Sequence, residues 1–226
     1  MNAFRECWPV ATLVVVLVAP GCSATSGTLT DTAASSTSEL EALYWARKDS
    51  ALTRVSQADV DFMTGMIGHH AQALIMAGFA PSHGANPEVQ RLCARIINAQ
   101  KDEIVTMQTW LRDREQAVPE IQIEGRMLML LGVDEHNVHM PGMLSSEQLQ
   151  QLDEARDSDF DKLFLVYMIQ HHNGAVAMVE ELFGKDGAAQ DEIAFKVAND
   201  INVDQITEIA RMERMLDILN DSDKSQ

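Results

Sequence analysis

Apolar side chains recur along this chain at the three-and-four spacing of helices that bury one face. Val89, Leu92, Cys93, Ile96, Ile97, Ile104, Met107 and Leu111 form one stripe, and Asn86-Pro87-Glu88 ahead of it supplies a cap, a first-turn proline and an early acid. That pattern predicts a helix from Pro87 to about Arg114. A second stripe, Ile193, Val197, Ile201, Ile209, Met212, Leu216 and Leu219, predicts a helix from about Gln190 to Asn220. Ser56-x-x-Asp59 and Ser158-x-x-Asp161 have the form of capping boxes and open helices over about 57–79 and 159–183, the latter closed by Gly184. Ser145-x-x-Gln148 caps a shorter helix through Arg156. No stretch shows sustained strand alternation, and Met127 and Met129 read as helix packing around Leu128, Leu130 and Leu131. The predicted fold is all-α: a four-helix bundle built from two helical hairpins, with a short linker helix.

The hairpins repeat one another. At an offset of 102, Met66-Ile67-Gly68-His69-His70-Ala71-Gln72-Ala73-Leu74-Ile75-Met76 falls on Met168-Ile169-Gln170-His171-His172-Asn173-Gly174-Ala175-Val176-Ala177-Met178, with six of eleven positions identical. At an offset of 105, Gln100-x-x-Glu103-Ile104-x-x-Met107 falls on Gln205-x-x-Glu208-Ile209-x-x-Met212. One unit has been duplicated, which divides the mature chain into a first hairpin repeat (40–118), a linker (119–144) and a second repeat (145–226).

The repeats carry the candidate chemistry. With Met66 at zero and ~100° per residue, His70 falls at roughly +40° and His69 at roughly −60°, so both flank one interior stripe that also holds Ala73 and Met76. Met168, His171, His172, Ala175 and Met178 repeat the arrangement. Glu103 with Met107, and Glu208 with Met212, lie on one face of the partner helices, so each hairpin presents imidazoles, thioethers and a carboxylate to a shared interior. Two readings stand side by side. The histidines are metal ligands, or they are core groups anchored by hydrogen bonds, with methionine as ordinary core filler. A capping role accounts for Asp59 and Asp161, and Cys93 lies on a core stripe. His136, His139, Met140 and Met143 form a second cluster in the linker, either a metal site or a chance run. Imidazole with thioether suits copper, since Met selects Cu(I) and His accepts either oxidation state, whereas hard cations demand oxygen.

The N-terminus adds a location. Trp8–Ala19 is an apolar run too short to span a bilayer, and Ala19-Pro20-Gly21-Cys22 follows it in the manner of a bacterial lipobox. Residues 1–21 are expected to be a lipoprotein signal peptide, with Cys22 lipidated and 22–39 a flexible Ser/Thr-rich tether. That places the protein at the extracytoplasmic face of the cell membrane, with simple secretion or a periplasmic location as the alternative. Of the three cysteines only Cys93 then remains, so no intrachain disulfide is expected. Composition sharpens the picture at two points. A formal charge of −17 over 226 residues argues against nucleic acid as a partner. Thirteen methionines are an excess, and eight of them sit in or beside the duplicated motifs.

The Met-Ile-x-His-His-x-x-Ala-x-x-Met core, followed about thirty residues later by Gln-x-x-Glu-Ile-x-x-Met, resembles the bacterial domain of unknown function 305 family. The resemblance covers roughly residues 56–112 and 143–217. It implies a ferritin-like bundle and, because some exported members are similar to copper and silver binders active in metal resistance, a metal role for His69, His70, His171, His172 and nearby methionines. The expected function is an exported, lipid-anchored protein that binds copper, or silver, for sequestration, tolerance or handover. The alternatives are a structural or interaction lipoprotein and a ferritin-like metallo-oxidase. Di-iron chemistry in this fold needs Glu-x-x-His motifs, and no Glu here is followed three residues later by His. No Gly-x-Ser-x-Gly motif is present either, so no enzymatic activity is expected.

Overall fold

The structure is a computed structural model that describes residues 37–46, 55–133 and 140–224. Cys22, the expected signal segment, most of the expected tether, and His136 and His139 of the linker lie outside the described residues. The elements are α1 (37–46), α2 (Gln57–Gly78), α3 (Pro87–Asp113), β1 (Glu120–Glu124), β2 (Met127–Leu131), α4 (Ser146–Glu154), α5 (Asp157–Gly184) and α6 (Glu192–Lys224). α1 is exposed along its whole length. Among the described residues no helix is long and apolar enough to cross a membrane.

The fold is all-α in its essentials. α2 pairs with α3 and α5 with α6, and the two hairpins join chiefly where α2 meets α5. Local chemistry sets the ends of these helices. Ser56 and Asp59 form a capping box on α2, Ser145 and Gln148 form one on α4, and the Asn86 side chain accepts the Glu88 and Val89 amides at the start of α3. The Ser158 box does not form. α5 starts earlier, with Arg156 at its N-cap and no side-chain cap, while Asp161 accepts the backbone amide and side-chain amide of Asn86 at 3.1 and 2.6 Å. Asp59 likewise reaches across to the Ala189 amide at 2.6 Å, besides capping its own helix. Each repeat thus pins the turn between the helices of the other.

A β-hairpin replaces the expected helical packing of Met127 and Met129. β1 and β2 pair antiparallel with Glu124 opposite Met127, so Gly125 and Arg126 alone make the turn, Gly125 at φ 62°. A two-residue turn with glycine at its first position matches the twist of the strands it joins. α4 also stops at Glu154, two residues short of the predicted end.

The core lies in two clusters related by the repeat. One holds Phe62, Met66, Met107, Met178 and Val179, and the other holds Phe164, Met168, Met212, Met76 and Ala77. Each cluster therefore combines the start of one His-His helix with the end of the other, as antiparallel helices crossing at their histidines require. Cys93 is in the second cluster, where burial pushes its thiol up to about 12.

Candidate functional site

Between the two clusters, at the crossing of α2 and α5, lie four histidines, every one fully buried. The His69 and His171 rings meet across the crossing with centroids 3.8 Å apart. Their sequence neighbours His70 and His172 stand further out, at 6.5 Å from His69 and 6.2 Å from His171 respectively. Helical geometry explains the layout, since adjacent residues point ~100° apart, and only one ring of each pair can face the other helix while its neighbour turns toward the partner helix of its own hairpin.

Those outer rings are held by the predicted glutamates. His70 Nε2 donates to Glu103 on α3 at 2.7 Å, and His172 Nε2 donates to Glu208 on α6 at 2.8 Å. His69 Nε2 donates to the Pro141 carbonyl at 3.1 Å. A carboxylate or a carbonyl can only accept, so in all three rings the Nε2 proton is committed and, in the neutral ring, Nδ1 carries the lone pair. The Nδ1 atoms of His69, His70 and His172, and both ring nitrogens of His171, are buried without a hydrogen-bond partner. Burial, reinforced by the neighbouring His70, lowers the His69 pKa to about 3, and burial with His69 beside it holds His171 well below the ordinary value. Both are neutral at physiological pH, the state in which an imidazole binds a metal.

The linker covers this layer. Residues 140–144 run as a strap over α2 and α5. The Gln72 side chain donates to the Leu144 carbonyl at 3.0 Å and accepts the Leu144 amide at 2.7 Å. On α5, Gln170 donates to the Gly142 carbonyl at 3.3 Å, and a Cβ added at Gly174 would lie 1.9 Å from the Pro141 oxygen. Gly68 makes the equivalent room on α2, where an added Cβ would meet Leu130 of β2 at 2.5 Å and the Met140 sulfur at 3.2 Å. Since 68 corresponds to 170 and 72 to 174, glycine and glutamine have exchanged places between the repeats, and the strap threads through both.

The structure thus brings His69, His70, His171, His172, Glu103 and Glu208 together in one layer and Met140 to its edge. Met66, Met107 and Met178 pack in the apolar cluster on one side of the layer, and Met76, Met168 and Met212 in the cluster on the other, all buried. Met143 lines a cavity of about 240 Å³ together with Met127, Met140 and Leu149. Among the described residues no three His, Cys, Asp or Glu side chains converge to hold a metal by themselves. Sequence reasoning missed Gln72, Gln170 and Gly174, whose role arises from contacts 28 to 72 residues distant. The swapped Gly and Gln, within a repeat that keeps its histidines and flanking methionines, were the available signal.

A further cavity, of about 360 Å³, opens between α3 and α6 on the outer side of the glutamates, lined by Gln100, Glu103, Asp204, Gln205 and Glu208 with Arg95 and Arg211. Burial and the nearby Glu103, Glu208 and Asp200 raise the pKa of Asp204, as three further like charges require.

Comparison with known proteins agrees with this architecture. The family model described as domain of unknown function (DUF305) matches residues 59–216. Among solved structures, a DUF305 protein from Streptomyces coelicolor superposes with a TM-score of 0.61 at 22% identity, covering 72% of this chain and 92% of its own. A DUF305 fragment from Deinococcus radiodurans gives 0.59 at 27%, with 72% and 97% covered. CopM in its Cu(II)-bound form gives 0.53 at 30%, with 70% and 95% covered, and CopM has also been crystallised bound to Cu(I) and to silver. No curated protein sequence matches.

Proposed function

Starting from the fact that this chain belongs to the DUF305 family, we propose that it binds copper or silver through the histidine layer at the crossing of α2 and α5. One observation carries the reading. Three of the four rings have Nε2 fixed by a carboxylate or carbonyl while Nδ1 is buried, bare and unpartnered. Metal-ligating histidines are oriented in this way, with the second nitrogen bonded to a carboxylate or carbonyl that sets the tautomer and raises ligand basicity. A purely structural histidine would gain nothing from burying a lone pair that no donor satisfies.

Cu(I) and Ag(I) accept few, soft donors, so two imidazoles with a neighbouring thioether suffice where a hard cation would need a cage of oxygens. His69 and His171 are the central ligands in this reading, His70 and His172 the flanking ones, and Met140, next in sequence to the Pro141 that holds His69, a neighbouring thioether. The methionines of the two clusters, from Met66 and Met107 to Met178 and from Met76 and Met168 to Met212, form the soft walls. Glu103 and Glu208 orient the rings. The copper and silver complexes of CopM support the choice of metal. The protein sequesters the metal or hands it on, without turning over a substrate, outside the cytoplasm and anchored through lipid at Cys22.

Titration of the purified chain with Cu(I), Cu(II), Ag(I) and Zn(II) tests this, alongside a variant in which His69, His70, His171 and His172 are all alanine. Tight uptake of copper or silver that falls at least ten-fold in the variant is the expected result. Equal binding by the variant would move the site elsewhere, and a metal-free variant that has lost its helicity would favour the hydrogen-bonded structural role.

A further inference from the structure

The strap covers the histidines from the α2 and α5 side, whereas the cavity between α3 and α6 is lined by the glutamates that hold His70 and His172. There Glu103 and Glu208 are the partly exposed members of their pairs, each with one oxygen on a buried ring. Asp204 joins them from the α6 face, and it breaks the repeat, since the corresponding residue of the first unit, Ala99, lines the same cavity without a charge. Arg95 stands at the rim, 3.9 Å from Glu208.

Acidic side chains alone would say little, but two amides point to an occupant. Gln100 and Gln205 are equivalent residues of the two repeats, each 2% exposed, and both line this cavity. Neither Nε2 nor Oε1 of Gln100 has a hydrogen-bond partner, and neither has Oε1 of Gln205. Buried polar groups are almost always paired, and two equivalent buried glutamines with three orphaned amide atoms between them, both lining the same acidic cleft, mark a place where something polar belongs.

We propose that this cleft is a second cation site, a vestibule in which Glu103, Asp204, Glu208, Gln100 and Gln205 hold a hydrated cation in front of His70 and His172. The carboxylates and amide oxygens accept from the ion's water shell, and the Gln100 amide donates to a shell water. Holding the ion through water suits residues that do not converge for direct coordination. The two arginines at the rim keep the affinity low, as a station for passage requires. As the way into the histidine layer this vestibule rests on the metal-binding reading, but as a cation site it stands on the cleft alone.

Mn(II) separates the two, because it prefers oxygen and is paramagnetic. Added in substoichiometric amounts to the full isotope-labelled chain, it is expected to broaden the backbone amide signals of residues 99–104 and 203–209 selectively. Asp204→Asn, at an exposed position that leaves the helix intact, and Gln100→Leu, which removes the orphaned amide, should each weaken Mn(II) binding at least three-fold. Broadening centred elsewhere, or unchanged in both variants, overturns the vestibule. Loss of copper and silver binding with this Mn(II) signature retained would overturn only the function proposed for the histidines.

Discussion

A histidine offers two nitrogens, and three of the four rings at the centre of this protein have one of them already spoken for by Glu103, Glu208 or Pro141. The energetic consequence is visible before any metal is added. Above its ordinary pKa of 6.5, His69 is neutral in the folded and the unfolded chain and contributes no pH dependence. Between 6.5 and about 3 the unfolded chain binds a proton that the buried ring refuses, so stability falls as the pH falls through that window. The metal-free protein should therefore lose stability from pH 7 to pH 5, and His69→Gln should flatten the slope by up to ~1.4 kcal/mol per pH unit. Urea unfolding at several pH values measures this. An identical slope in the variant would mean that His69 takes up its second proton in the folded chain as readily as in the unfolded one.

Among the elements, the strap matters most for the site. Its position depends on Gly174, where a methyl group would collide with the Pro141 oxygen. Gly174→Ala should cost about 1–3 kcal/mol through overpacking. It should also speed exchange of the Leu144 amide, which now donates to Gln72. Gly78→Ala is the matched control. It ends the same kind of helix with nothing within 4 Å of the new methyl, so it should be neutral or stabilise by up to ~1 kcal/mol. If both substitutions behave alike in hydrogen exchange, the strap is not held by this contact.

The same elements show what was legible in the sequence. Helix starts governed by neighbouring residues, at Ser56, Asn86 and Ser145, followed from local patterns, and the duplicated motifs turned the histidines and the glutamate of each hairpin toward one interior, although which ring meets the glutamate came only with the structure. Ser158 misled because its partner Asp161 is recruited by Asn86, 75 residues away. The hairpin was missed because β2 is the unbroken apolar run Met127–Leu131, which does not alternate, although Ile121-Gln122-Ile123-Glu124 and Gly125 carried the signal. The strap and the orphaned glutamines depend on which face of one repeat meets the other, and no local pattern encodes that.

On the scale of the molecule, the two hairpins are stapled by carboxylates as well as by the histidine layer. Asp59 and Asp161 hold each other's turns, and buried Asp191 at the start of α6 accepts from Trp110 Nε1 at 2.9 Å and from Arg114, both at the end of α3. Burial alone would raise the Asp191 pKa, but the bonds from Trp110 and Arg114 bring it below the usual carboxylate range. Arg114 also lies over the Trp110 ring at 4.4 Å. Asp191→Ala would leave that guanidinium buried with no counter-charge, at a cost of about 3–5 kcal/mol. Calorimetry should show a correspondingly lower Tm, and a shift of less than a degree or two would mean that Arg114 finds water or another acceptor.

The exchanged glycine and glutamine carry a consequence for descent. Because α2 and α5 run antiparallel, the exchange sets the two glycines, Gly68 and Gly174, beneath Met140 and Pro141, and the two glutamines, Gln170 and Gln72, against Gly142 and Leu144, whereas a dimer of two identical repeats would set one glycine and one glutamine at each level. Open ground at one end of the strap and a clamp at the other is therefore a property of the diverged tandem, which two interchangeable halves would not supply.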